Sequence, residues 1–160
     1  MASRRSLAVD AIYNAVSAAN VTNALLGATY TKPVGLNVHR SKTVPIEADA
    51  LPAAVVFRVA EEIISRDGPR GWKVKRGLRV RVECRAATAA DGETLEDALD
   101  PITSWAVQAV MADPTLGGLT DYVLEMSTEW ASADANKVYG AAVVDFVIPF
   151  ITAAGNPDAA

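Results

Sequence analysis

A chain of 160 residues, 51% of them apolar, is long enough to bury a sizeable core in one domain. Its single cysteine excludes an intrachain disulfide framework and a multi-cysteine zinc site. The apolar runs, such as 51–57 and 141–144, fall far short of the roughly 20 residues that span a bilayer. The opening Met1-Ala2-Ser3-Arg4-Arg5 is not followed by the apolar segment of a signal peptide, so neither membrane nor secretory leader is expected. The net charge of −4 is unevenly placed. Residues 1–85 carry 14 Lys/Arg and 7 Asp/Glu, whereas residues 86–160 carry 1 and 12. If the two halves showed on different faces, copies of the chain could meet basic face to acidic face. The alternative is that the charges mix on the folded surface.

In chain order, residues 6–26 read as an amphipathic helix. Leu7, Ala8, Ala11, Ile12, Ala15, Val16 and Ala19 recur at three- and four-residue spacing, with Ser6 or Ser3 as cap and Gly27 as stop. Residues 28–50 read as irregular, punctuated by Pro33, Gly35 and Pro45, with a short strand possible at 36–40. His39 has no second His and no acid at ligand spacing, so it reads as structural. Residues 51–59 read as a strand opened by Pro52.

The turn-rich 66–71 stretch then leads into Arg76–Ala87, where Leu78, Val80, Val82 and Cys84 alternate strictly with Arg79, Arg81, Glu83 and Arg85. That is a strand with one buried face, and Cys84 on the apolar side reads as a small hydrophobe. The tip carries Arg66, Arg70, Lys73, Lys75 and Arg76 around Trp72. It is read as a solvated hairpin end with Trp72 tucked back, the alternative being a nucleic-acid contact.

From Thr94 the period is helical again to Val110. Asp91 or Thr94 is the cap, and Pro101 marks either a kink or a restart with Asp100 as cap. Glu93, Glu96, Asp97 and Asp100 lack a calcium-loop pattern and read as a solvated face. After Asp113-Pro114 and the Gly117-Gly118 turn, 121–130 and 138–151 alternate and should form a hairpin, with Pro149 confined to an edge or tip. Residues 153–160 read as a flexible tail behind a single α+β domain over 1–152. The expected fold is a mostly antiparallel sheet of four or slightly more strands, in the order α-β-β-α-β-β, with helices on one face. No glycine-rich phosphate loop and no nucleophile–base spacing is present, so no enzyme and no cofactor are expected.

Several segments in this order resemble the tail terminator proteins of long-tailed, lambda-like phages. They are Val44-Pro45-Ile46 with Leu51-Pro52-Ala53-Ala54-Val55-Val56, the strand Leu78–Cys84, the helix Leu95–Met111, Asp113-Pro114-Thr115-Leu116-Gly117-Gly118-Leu119 and the closing strand Val143–Phe150. The resemblance covers roughly residues 6–151. It implies a structural virion protein at the head–tail junction, assembled as a ring, usually of six copies. Such a ring stops tube polymerisation and docks the head's neck connector proteins, and DNA passes through its opening without sequence recognition. Arg70, Trp72, Lys73, Lys75, Arg79 and Arg81 are the candidate residues for subunit contact or for lining the opening. A neck or tail-tube subunit of the same assembly is the nearest alternative, and a small nucleic-acid-binding module a more distant one.

Overall fold

The structure is a computed structural model, and it describes residues 3–41, 46–67, 72–88, 92–130 and 139–156. Its centre is β5 (Lys73–Ala87), which lies between β4 (Ala53–Asp67) and β7 (Tyr139–Ala153) and pairs antiparallel with both. Leu78, Val80, Val82, Cys84 and Ala86 are buried on one face, together with Ala54 and Val56 of β4 and Ala142, Val144, Phe146 and Ile148 of β7. Each fully buried Val, Leu or Phe here contributes about 1.5–3 kcal/mol relative to exposure. The period-two pattern therefore sets which face of the whole sheet is covered.

Two helices cover that face. α1 (Arg4–Ser17) starts at Ser3, whose hydroxyl accepts from Ser6 N at 3.2 Å, and buries Ala8, Val9, Ile12 and Val16. α2 (Leu95–Met111) buries Leu99, Ile102, Trp105, Ala106, Ala109 and Val110. Thr94 caps it through a reciprocal box, its hydroxyl accepting from Asp97 N at 3.1 Å while the Asp97 carboxylate accepts from Thr94 N at 3.1 Å. The indole of Trp105, 1% exposed, donates to Val16 O at 2.9 Å and so ties α2 to the last turn of α1. At the start of β7, a Cβ on Gly140 would lie 2.0 Å from Leu95 Cδ2, so glycine is what lets α2 seat against the sheet.

The observed architecture corrects the expected one. In place of a mostly antiparallel sheet of four or slightly more strands in the order α-β-β-α-β-β, there is a five-stranded mixed sheet, ordered β3-β4-β5-β7-β6, and a separate two-stranded sheet. The first helix ends at Ser17, not Leu26, and β1 (Asn20–Asn23) and β2 (Ala28–Thr31) form a hairpin instead. The Asn23 side chain accepts from Leu25 N and Leu26 N at 3.0 and 3.1 Å, and Gly27 takes φ +63°. This Asx turn competes with helix propagation, which is why Asn and Thr residues break the helical pattern here. β3 (Asn37–Arg40) lies parallel to Ala53–Val56, and this pairing makes the sheet mixed.

α2 runs through Pro101 without a restart, with Pro101 on its exposed side. β6 (Leu124–Trp130) pairs antiparallel with β7. Pro149 lies beyond the end of that pairing, and its carbonyl accepts from Thr120 Oγ1 at 2.6 Å. Its missing N–H therefore falls on a side of β7 that β6 has already left. Beyond β7, Ala154 N donates to Trp72 O at 2.7 Å, and residues 157–160 of the expected tail lie outside the described residues.

Because Trp105 is buried and joins α2 to α1, Trp105→Ala should cost about 3–5 kcal/mol. Urea unfolding followed by far-UV circular dichroism measures this, and a midpoint unchanged from wild type would count against the packing described.

Candidate assembly surface

The face of the sheet turned away from the helices carries the charged half of the β5 alternation. Arg79, Arg81, Glu83 and Arg85 lie opposite Val147, Asp145, Val143 and Ala141 of β7. Asp145 is 0% exposed. Its Oδ1 accepts from Arg81 Nε at 2.8 Å, and its Oδ2 accepts from Arg81 Nη2 and Arg79 Nε, both at 2.9 Å. A carboxylate without exposed surface is tolerable only with such charge-assisted partners. Alongside, Arg85 Nε donates to Glu83 Oε1 at 2.7 Å.

A second cluster sits where α1 meets β4 and β5. Glu61 accepts from Arg5 Nη2 at 2.9 Å and Arg76 Nη1 at 2.8 Å, and Arg76 Nε donates to the buried Thr152 hydroxyl at 3.0 Å. Arg5 Nε also pairs with Glu61 Oε2. Both carboxyls are held below their ordinary values of 3.8 for Asp and 4.5 for Glu. The hydrogen bonds from Arg81, then Arg79, do this for Asp145, and those from Arg5, then Arg76, for Glu61.

These pairs answer the question of charge placement. Asp145 belongs to the acidic half of the chain and Arg79 and Arg81 to the basic half, yet β5 and β7 are neighbours and the three form one cluster. On this sheet face the two halves interleave. Arg79 and Arg81 act in an internal ion cluster there, while their guanidinium edges remain partly exposed.

At the far end of the same face, Lys73 is exposed, and Lys75 Nζ lies 5.9 Å from the centre of the Tyr122 ring, in cation–π range. Trp72 is 65% exposed rather than tucked back. Arg70 lies outside the described residues. Gly77 sits between Ile64 and Val147, and a Cβ there would lie only 3.1 Å from Ile64 Cδ1 and from Val147 Cγ1.

The remaining chemistry is quiet. Cys84 is buried and its thiol is pushed up to about 12 by desolvation, so it is an inert hydrophobe. Among the described residues no group of three or more His, Cys, Asp or Glu is placed to hold a metal. His39 lies on β3 opposite Val55. A recess of about 470 Å³ beside Ile46, Leu51, Tyr139 and Ala141 has Glu83 and Arg85, bound to each other, as its charged lining. No described helix is long and apolar enough to cross a membrane.

Large apolar residues are left outside on the β1–β2 turn and the segment after it (Leu25, Leu26, Val34), at Trp72, and on the outer strands of the sheet. Val59, Ile63 and Ile64 on β4 and Leu124, Met126 and Trp130 on β6 are each between 42% and 58% exposed. Neither Asp145 nor Glu61 was singled out by sequence. The available signal was a carboxylate inside an otherwise apolar strand run, Ala141–Phe150, opposite a strand rich in arginine.

No protein-family model matches the chain, and no curated protein matches it in sequence.

Replacing Asp145 by Asn leaves two arginines against a neutral amide and should cost about 3 kcal/mol at pH 7, the lower end for breaking a buried pair since both arginines keep some solvent. A carboxyl depressed in the native state stabilises fully above its unfolded value and loses that contribution as pH falls through its native value. The gap between wild type and Asp145→Asn in urea stability should therefore narrow from pH 7 towards pH 2. A gap constant across that range would refute the assigned ionisation.

Proposed function

We propose that this protein is a structural subunit of a long-tailed phage tail, a terminator that caps the tail tube as a ring at the head–tail junction. The single observation that supports this best is the distribution of its chemistry. The buried polar groups form structural clusters, as with Asp145 and Glu61, while exposed apolar side chains line the two open edges of a well-packed sheet. That is the profile of a chain that works through surfaces, and apolar residues exposed on outer strands call for a partner. The resemblance in segment order names the assembly: further copies of itself, six being usual, the tail tube protein below and the neck connector above, with DNA passing through the opening. A heterologous contact that closes on itself makes such a ring, whereas one that does not close makes a filament.

Trp72 and Lys73, exposed together at the end of the β4–β5 hairpin, favour a second reading, contact with passing or bound nucleic acid through stacking and charge.

Molar mass by light scattering over a concentration series, with negative-stain images of the same samples with and without tail tubes, tests the proposal. Discrete rings, or a monomer that forms rings on tube ends, are expected, and open-ended filaments would move the protein to the tube itself. A monomer indifferent to tubes but binding single-stranded DNA, with affinity falling steeply between 50 and 200 mM salt as counterion release requires, would replace it by the nucleic-acid reading. Lys73→Glu with Lys75→Glu should weaken tube capping and cost no more than about 1 kcal/mol of stability in urea, because Lys73 is exposed and Lys75 gives up only its contact with Tyr122.

A further inference from the structure

We propose that Arg4 guards the end of β7 against strand addition, so that an uncharged apolar stretch of open sheet edge does not recruit a second chain. This goes beyond the ring reading and does not depend on it.

The need for a guard follows from where β6 stops. The two strands part beyond the pair Leu124 and Val147, so residues 148–153 of β7 have no strand beside them on that side among the described residues. The stretch reads Phe146-Val147-Ile148-Pro149-Phe150-Ile151-Thr152, and residues 146–157 carry no charge at all. An uncharged run of aromatic and β-branched residues at an open edge is a template for strand addition and cross-β growth.

The structure meets that need carbonyl by carbonyl. Along an antiparallel strand, alternate residues turn both backbone groups towards the same neighbour. Residues 149, 151 and 153 face the side that β6 has left. Pro149 has no N–H to offer, and its carbonyl accepts from Thr120 Oγ1 at 2.6 Å. The Ile151 carbonyl accepts from Arg4 Nη1 at 3.2 Å. The Ala153 carbonyl accepts from Asn156 N at 3.2 Å, where the chain turns back on itself. All three outward carbonyls are thereby engaged. Beside Ile151 lies a recess of about 240 Å³ whose charged lining is Arg4, Lys75 and Asp121. An incoming strand would have to displace the guanidinium from Ile151 and then lie against these charges.

The place of Arg4 in α1 supports the same reading. A cation in the first turn opposes the positive end of the helix dipole, and α1 has no acid there. Its neighbour Arg5 is balanced by Glu61. Arg4 has no such acid among the described residues, and what it holds is the Ile151 carbonyl, 147 residues away in the chain. A residue that breaks a local rule and makes one fixed distant contact points to a task for that contact.

Arg4→Ala tests the guard, with thioflavin T fluorescence and light scattering followed during incubation and urea stability measured alongside. Fluorescence should rise about fivefold faster than in wild type, the factor that corresponds to one typical hydrogen bond. Arg4→Lys keeps a charge and a donor and should behave as wild type. Pro149→Ala returns an N–H to the edge, and combined with Arg4→Ala it should grow faster than either variant alone. Thr94→Ala is the control, because it removes the cap of α2 and lowers stability without touching this edge.

The expected result is faster growth in Arg4→Ala than in Thr94→Ala, with the outward Ile151 amide gaining protection from hydrogen exchange in the product. Equal growth in those two variants would trace the effect to lost stability and overturn the guard. So would growth that leaves the Ile151 amide unprotected, or wild-type behaviour in both Arg4→Ala and the double variant. Rings are read separately, as a fixed molar mass without dye binding, so either reading can fail while the other stands.

Discussion

The buried Asp145 carboxylate, held between Arg79 and Arg81, is the constraint on which the rest of the sheet depends. Its three charges cross from β7 to β5 and can be satisfied only in one register. Shifting β5 by one residue would turn its arginines towards Phe146 and Val144 and strand the carboxylate without partners. Desolvation of unpaired charge costs several kcal/mol per group, more than any alternative packing of these small side chains returns. The apolar face and the ionic face of β5 therefore enforce the same register from opposite sides of the sheet.

Much of the rest follows from that fixed frame. Once β4, β5 and β7 are locked together, α2 seats its apolar stripe on them, and Trp105 reaches across to the end of α1. The Glu61 cluster, with Arg5 and Arg76, then fastens the start of α1 to the same three strands. The frame is closed above by helices but open at both edges.

The central strand, the first half of the expected 6–26 helix, α2 and the β6–β7 pair were legible because each carries a clear period. Leu78 to Cys84 alternates, and Leu95 to Val110 repeats at helical spacing. Of the short elements only β3 was suggested, as a possible strand at 36–40, and β1 and β2 were not. β1, β2 and β3 have 4 residues each and carry Asn and Thr where a pattern would need apolar side chains. Val21 and Tyr30 pack against the core, but two such residues do not make a period. The parallel placement of β3 was beyond reach for a further reason: periodicity identifies a strand and says nothing of its neighbour. For the candidate surface, Lys73, Lys75, Arg79 and Arg81 were legible as charges, but their partners were not. Asp145 is 64 residues from Arg81, and no local signal joins them.

By itself the sequence determined the alternation of β5, the buried face that follows from it, the amphipathic stripe and Thr94 start of α2, and the inert character of Cys84. These depend on neighbours within a few residues, where backbone geometry converts sequence spacing directly into direction. Only the tertiary structure decided the mixed five-stranded order, the interleaving of the basic and acidic halves at Asp145, and the exposure of apolar residues on β4 and β6. Each of these depends on which distant strands lie side by side, and that is settled by burying the whole core at once rather than by any local preference.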